Sequence, residues 1–134
     1  MARILVADDD PLSLAVMSRA LEKAHHDVVT ATDGAKALDI FLGDKFDCLV
    51  CALSLRDPSG LHVVRDARHH ASRAAIIALV DGKPKAGGVH VDVLNMAHIV
   101  GASAVVKKPF EMFDFVATVE GALGVGAKKP SANA

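Results

Sequence analysis

The stretch Ile4-Leu5-Val6-Ala7-Asp8-Asp9-Asp10-Pro11 decides the fold. Four consecutive apolar residues, ended by three carboxylates and a proline, indicate a strand that is buried on both faces and whose carboxyl end opens into a polar site. In an open parallel sheet, ligands bind at that end of the strands. Because neighbouring carboxylates repel one another, we expect a cation, such as Mg²⁺ or a lysine, to share the space with them.

Composition narrows the class of protein. The 134 residues are 51% hydrophobic and 4% aromatic, with no Trp or Tyr, which predicts a core of Val, Leu, Ile and Ala. The formal net charge of -1 gives no basic excess that would attract nucleic acid. No apolar stretch approaches the roughly 20 residues that span a bilayer, and no signal segment is recognisable at the amino terminus. We therefore expect a soluble, cytoplasmic protein that binds neither nucleic acid nor membranes.

The two cysteines, Cys48 and Cys51, form a C-x-x-C pattern that is also found in redox and zinc sites. They lie within a predicted strand, where residues three apart point to opposite faces. We therefore expect two buried, reduced thiols.

The remainder of the chain alternates strand and helix patterns. After the first strand, strands are predicted over 27–31, 46–53, 75–80 and 104–106, and helices over 12–21, 35–41, 61–67, 91–100 and 111–123. In the last helix, the residues expected on the buried side are Phe113, Val116, Val119 and Leu123. Residues 81–90 read as a flexible loop and 124–134 as a flexible tail. The alternation predicts an α/β domain over 1–123, with five parallel strands and five helices.

Several polar residues have a simple structural interpretation. We expect Asp57 to cap the third helix or to stabilise its loop. The adjacent pairs His25-His26 and His69-His70 point about 100° apart on a helix, so solvated helix ends explain them better than a shared metal ion does. His62 and Asp66 are spaced to share one helix face.

Three segments in order resemble the receiver domain of two-component response regulators: ILVADDDP at 4–11, FDCLVCALSLRDPSG at 46–60 and GASAVVKKPF at 101–110. The resemblance covers residues 2–123 and implies a flavodoxin-like, doubly wound sheet with strand order 2-1-3-4-5. In that family an acid pair after strand one holds Mg²⁺, an aspartate at the end of strand three accepts phosphate, and a lysine after strand five contacts the phosphoryl group. In the same family, a hydroxyl residue after strand four and an aromatic residue on strand five relay the conformational change that follows phosphorylation.

By this resemblance, Asp8 and Asp9 take the positions of the acid pair and Lys108 that of the lysine. The acceptor position falls on Ala52, which has no oxygen to phosphorylate and none to offer a metal. We expect Mg²⁺ binding at Asp8 and Asp9 to be weak or absent, no other cofactor, and Lys108 to lie against Asp8 or Asp9.

Both relay positions also depart from the family pattern. The hydroxyl position falls on Val80 and the aromatic position on Val105. The loop before the fourth predicted helix is about six residues longer than is usual in the family.

These departures lead to the hypothesis of an atypical single-domain response regulator: a pseudo-receiver that binds a protein partner without phosphorylation and is not an enzyme. The expected partner is a histidine kinase, an output protein or another regulator, and a homodimer is possible. The surface implied is that of the fourth and fifth predicted helices and the fifth strand. Its candidate residues are Lys83, Lys85, His90, His98, Ser103, Lys107 and Glu111.

Two alternatives remain open. The chain could be a phosphorylatable receiver whose acceptor aspartate was exchanged for Ala52. It could also be a small phosphatase similar to the haloacid dehalogenases, with Asp8 and Asp10 as its D-x-D pair and Lys108 as its lysine.

Overall fold

The computed structural model describes residues 1–81, 97–98 and 100–124. Within these ranges the elements in chain order are β1 (Arg3–Ala7), α1 (Pro11–Lys23), β2 (Asp27–Ala31), α2 (Gly34–Gly43), β3 (Cys48–Ala52), α3 (Gly60–His70), β4 (Ala75–Asp81), β5 (Ala104–Lys108) and α4 (Met112–Leu123). The longest of these helices, α1, has 13 residues. No helix in the described part of the chain is long and apolar enough to cross a membrane.

The five strands form one parallel sheet in the order β2-β1-β3-β4-β5. This confirms the predicted flavodoxin-like order 2-1-3-4-5. Ala7, the last residue of β1, lies opposite Ala31 of β2 and Cys51 of β3. The carboxyl ends of these strands therefore meet at one edge of the sheet, where Asp8 follows β1 and Ala52 ends β3.

The helix count differs from the expectation of five. The described residues contain four helices, because most of the range predicted for the other one, 91–100, is not among them; only 97 and 98 are seen in helical conformation. The predicted loop at 82–90 also lies outside the described residues. So does the predicted tail from 125 onward.

Helices cover both faces of the sheet, and β1 contributes to both cores. Ile4 and Val6 pack into the core beneath α1 and α4, whereas Leu5 and Ala7 pack into the core beneath α2 and α3. All four side chains are fully buried. The prediction that the opening apolar run forms a strand buried on both faces is therefore confirmed.

The buried side of α4 differs from the expectation. Phe113 is 82% exposed, and Phe115 is the fully buried aromatic residue of this helix. Phe115 stacks on Phe110, with ring centroids 5.1 Å apart, and Val119 lies one turn further along the buried face. Met112, Phe115 and Val116 pack on the core. Phe113 lies two residues from Phe115, about 200° around the helix, and therefore points away from the sheet.

The cap of α3 also differs from the expectation. Ser59, not Asp57, is the N-cap residue, and its hydroxyl oxygen accepts a hydrogen bond from the His62 N–H. Asp57 is exposed and has a φ of 55°, in the left-handed region that Asp tolerates better than most residues. The first of the two roles expected for Asp57, capping of α3, is therefore wrong, and the second, stabilisation of the loop, stays a prediction.

We predict that Phe115→Ala lowers the free energy of unfolding by about 3–5 kcal/mol, because it opens a cavity between α4 and the sheet. Urea denaturation monitored by circular dichroism measures the change. Phe113→Ala, two residues away on the same helix, is the matched control and should change stability by no more than about 0.5 kcal/mol. Equal losses for the two variants would contradict this assignment of the core.

Candidate functional site

Asp8 and Lys108 form an ion pair at the carboxyl edge of the sheet. Lys108 Nζ lies 2.7 Å from Asp8 Oδ2, as expected from the sequence. The Asp8 side chain is fully buried and that of Lys108 is 23% exposed. Since β3 and β4 separate β1 from β5, the Lys108 side chain reaches across the ends of two strands to neutralise Asp8.

The other oxygen of Asp8 and the two following acids have partners of their own. Asp8 Oδ1 accepts a hydrogen bond from the Asp10 N–H at 3.0 Å. Asp9 is exposed, and its Oδ1 accepts from the Ser54 hydroxyl at 2.8 Å. The three adjacent carboxylates therefore have different partners, and of the three only Asp8 is buried beside the lysine.

Asp10 is the N-cap of α1 and lies outside the pocket. Its side chain accepts from the Leu12 N–H at 3.2 Å and from the Ser13 hydroxyl at 2.9 Å. The hydrogen bond from Ser13 lowers the pKa of Asp10 below its ordinary value. Pro11 occupies the first position of the helix, where its missing N–H costs nothing.

Ala52 ends β3 and is 1% exposed. The start of α3 closes over it, because a Cβ at Gly60 would lie 2.4 Å from the Ala52 carbonyl oxygen. Glycine is therefore required at position 60. Position 52 offers the pocket a methyl group and no side-chain oxygen.

The two valines considered as relay positions lie on the neighbouring strands. Val80 is 4% exposed near the end of β4 and lies opposite Lys107 of β5. Val105 is partly buried in β5, opposite Ala78. Both positions therefore contribute only hydrocarbon to this end of the sheet.

The described residues of the candidate partner surface are all exposed: His98, Ser103, Lys107 and Glu111. Lys83, Lys85 and His90 lie outside the described residues. Ser103 differs from the other three, because its hydroxyl oxygen accepts hydrogen bonds from Arg68 Nη2 and from the Ile76 N–H. No pattern in the sequence indicated this internal role.

The expectation that His25 and His26 are both solvated is wrong for His26. His26 is 7% exposed; its Nδ1 accepts from the Ala2 N–H at 3.1 Å and its Nε2 lies 2.9 Å from Glu120 Oε2. These partners assign the proton to Nε2. His26 thereby connects the start of the chain to α4 through a contact 94 residues apart in sequence, which no local pattern announces.

The other three histidines weighed as metal ligands, His62, His69 and His70, lie on α3. His62 Nε2 is 3.0 Å from Asp66 Oδ2, as the i, i+4 spacing predicts, and His69 and His70 are exposed at the end of the helix. Within the described ranges, no group of three or more His, Cys, Asp or Glu side chains is arranged to hold a metal ion.

Cys48 and Cys51 are free, buried thiols, which confirms the expectation. Burial, with a smaller contribution from Asp47, raises the pKa of Cys48 to about 12. Burial, with a smaller contribution from Asp8, also raises the pKa of Cys51. Both thiols therefore stay protonated at neutral pH, which makes them poor nucleophiles and poor metal ligands.

Residues 4–120 match the family model described as the response regulator receiver domain. Over 125 residues the chain is 31% identical to the transcriptional regulatory protein KdpE of Mycobacterium tuberculosis, covering 92% of this chain and 51% of that protein. Over 121 residues it is 30% identical to the transcriptional regulatory protein PrrA of Mycobacterium bovis, covering 90% of this chain and 49% of that one. The chain thus spans about half the length of these curated relatives.

The fold is similar to that of solved receiver structures. One is a CheY-like response regulator receiver domain protein from Methanospirillum hungatei, with a TM-score of 0.82. The two chains are 21% identical, and the alignment covers 97% of this chain and 99% of the other. At that identity the likeness concerns the fold.

We predict that Lys108→Met lowers the free energy of unfolding by about 3 kcal/mol, because it leaves the Asp8 carboxylate buried without a counterion. Thermal and urea denaturation measure the loss. Adding Asp8→Asn to Lys108→Met should recover most of the stability, since an amide keeps the hydrogen bond from Asp10 without the charge. Lys107→Met, at the exposed neighbouring lysine, should be close to neutral. A double variant no more stable than Lys108→Met would contradict the ion-pair interpretation.

We predict that a thiol reagent such as Ellman's reagent at pH 8 labels the native protein at least about 100-fold more slowly than the urea-unfolded protein, because both thiols are buried and protonated. Absorbance of the released thiolate measures the rate. Rapid labelling of either cysteine in the folded protein would contradict their assignment as core residues.

Proposed function

The chain belongs to the response regulator receiver domain family of two-component signal transduction, and on that premise we propose that it is a pseudo-receiver, which binds a protein partner without being phosphorylated. Receiver domains are signalling modules that interact with kinases, output proteins or other regulators. The observation that carries the proposal is the methyl group of Ala52 at the end of β3, beneath the start of α3.

Phosphoryl transfer needs a nucleophile in line with the leaving group. The side chain of Ala52 has none. The Ser54 hydroxyl, at the same edge of the sheet, donates its hydrogen bond to Asp9. A serine is activated as a nucleophile by a neighbouring general base, with a third group orienting that base. Asp9, the carboxylate hydrogen-bonded to Ser54, is exposed to solvent and not enclosed in a site with such a base.

The residues at this edge do not fit the magnesium ion that the family implies. Mg²⁺ is octahedral, usually keeps several water ligands and is held in proteins by one or two carboxylates. One Asp8 oxygen is bound to the Lys108 ammonium, one Asp9 oxygen is bound to Ser54, and Ala52 supplies none from its side chain. Weak or absent metal binding is therefore part of the proposal, and no step of the proposed function uses the metal.

The ion pair supports a pocket that is held in one state. Lys108 already neutralises Asp8 at 2.7 Å within the chain, so the buried charge needs no ligand to balance it. Val80 and Val105, at the positions of the family's relay residues, have no hydroxyl and no aromatic ring with which to report a phosphoryl group. Acceptor and relay are thus missing together.

The proposed binding surface is the exposed face around β5 and the start of α4. The exposed polar residues proposed for it within the described chain are His98, Ser103, Lys107 and Glu111, and Lys83, Lys85 and His90 are proposed to join them. A histidine kinase, an output protein or another regulator in the cytoplasm is the partner class proposed for it, with a homodimer as a further possibility. The domain is proposed to cover residues 1–123, with 124–134 as a tail.

The two alternatives receive no stronger support. Exchange of an acceptor aspartate for Ala52 would leave the relay positions unexplained, because one change suffices to prevent phosphorylation. In the phosphatase alternative, Asp10 would be a catalytic acid, but its side chain caps α1. Signalling by binding accounts for all the departures with one function.

We predict that incubation with acetyl phosphate and Mg²⁺ adds no phosphoryl group to the protein, because the acceptor oxygen is missing. Intact-mass spectrometry is the measurement, with a receiver that has its acceptor aspartate as the positive control. A stoichiometric phosphoryl adduct would refute the proposed function. Hydrolysis of an aryl phosphate ester with Mg²⁺ present would instead favour the phosphatase.

We predict that Ala52→Asp is phosphorylated to a small fraction at most, because Val80 provides no hydroxyl donor to a phosphoryl oxygen. The same mass measurement applies, and Ala52→Asn controls for the change in side-chain volume. Full phosphorylation of Ala52→Asp would favour the alternative in which a working acceptor was exchanged for alanine.

A further inference from the structure

The last turn of α3 carries Arg68, whose three guanidinium nitrogens all donate hydrogen bonds to oxygen atoms of the chain. Arg68 Nε donates to the Gly101 carbonyl oxygen at 2.8 Å, and Nη2 donates to Ser103 Oγ at 3.1 Å. Nη1 donates to three carbonyl oxygens of the turn after α3, those of Ala71 (3.4 Å), Ser72 (2.9 Å) and Ala74 (2.7 Å). Nη1 has two hydrogens, so two of these three carbonyl oxygens share one of them. No acceptor in this set is a carboxylate, so the contribution of Arg68 is geometric: the planar guanidinium holds five oxygen atoms around itself.

Ser103 connects this arginine to the sheet. Its Oγ, which accepts from Arg68, also accepts from the Ile76 N–H at 3.0 Å. Its own N–H donates to the Ile76 carbonyl oxygen at 2.7 Å. The residue immediately before β5 is thus held to β4 through its backbone and its side chain, and to α3 through Arg68.

Gly101 allows the chain to approach the arginine this closely. Its φ is 121°, and a Cβ there would lie 2.6 Å from Arg68 Cγ. The Gly101 N–H donates to the His98 carbonyl oxygen at 3.1 Å, and the Ala102 N–H donates to that of Ala97 at 3.0 Å. These two hydrogen bonds join residues 101 and 102 to residues 97 and 98, and the Gly101 carbonyl oxygen joins them to Arg68.

We propose that Arg68 is a positioning residue, which holds residues 100–103 and the start of β5 in one conformation independently of the acid pocket. Arg68 and Ser103 lie at the amino edge of the sheet, whereas Asp8 and Lys108 lie at the carboxyl edge. His98 and Lys107 lie on either side of residues 100–103. The β5 side of the proposed partner surface therefore has its conformation before a partner binds. That last consequence rests on the proposed function; the positioning itself does not.

Amide hydrogen exchange by NMR tests the proposal on the full chain. Arg68→Lys keeps the positive charge but replaces the fork with one ammonium group. We expect the amides of Ile76, Gly101, Ala102 and Ser103 to exchange at least about tenfold faster, while those of β1 and β3 keep their rates. Rates that stay unchanged at these four amides would overturn the proposal. A uniform increase over all core amides would also overturn it, because it would reduce Arg68 to a contributor to global stability.

Two control variants separate this effect from charge and from the pocket. Arg65→Lys lies on the same helix, and the side-chain contacts of Arg65 are with His62 and Asp66 on that helix, so the four amides should keep their rates. Asp9→Asn alters the pocket and should also leave them unchanged. Acceleration by Asp9→Asn equal to that by Arg68→Lys would overturn the claimed independence.

Ser103→Ala provides a second test, which applies even if Arg68→Lys fails to fold. It removes one hydroxyl group and should accelerate the Ile76 amide, whose acceptor is lost. An unchanged Ile76 amide would contradict the proposed connection. A phosphoryl adduct on the wild-type protein would refute the proposed function and leave these exchange results standing, so the two failures are distinguishable.

Discussion

The burial of one carboxylate, Asp8, is the constraint on which the rest of the site depends. An ionised group without solvent must be matched by an opposite charge and by hydrogen bonds, or its burial costs several kcal/mol. Here the match comes from Lys108 at 2.7 Å and from the Asp10 N–H. The strand order makes this possible, because the ends of β1 and β5 face the same edge of one parallel sheet.

Around that pair, the two acids that follow Asp8 are also bound within the chain. Asp9 accepts from Ser54, and Asp10 caps α1. Ala52 ends β3 at the same edge and is enclosed by the close approach of Gly60. An edge that parallel sheets ordinarily use for ligands is thus largely satisfied by its own side chains.

The parts of the fold that follow from local patterns could be predicted from the sequence. The apolar run before Asp8 identified a buried strand, because that signal lies within a few consecutive residues. The alternation of strand patterns with helix patterns along the chain predicted the parallel sheet. The ion pair of Asp8 with Lys108 was also predictable, since charge balance demanded a cation and the family pattern supplied one. Phe113 was misplaced because apolar residues lie on more than one side of this helix, and the helical period alone does not decide which side faces the sheet.

Contacts that join distant segments were beyond local reasoning. His26 looked like part of a solvated pair, and only the folded chain brings Glu120 to its ring. Ser103 looked like an exposed surface residue, although its hydroxyl is used by Arg68 and Ile76. Such polar contacts leave no periodic pattern in the sequence, because each depends on two residues that only the folded chain brings together.

The lysine in the pocket has a consequence for how such a module would be controlled. Under the proposed function, the charge of the pocket is balanced by a lysine of the same polypeptide, so no small molecule is gained or lost when a signal passes. Under the proposed function, the fraction of partner occupied would follow mass action alone. The signal would then be carried by copy number, set by synthesis and degradation.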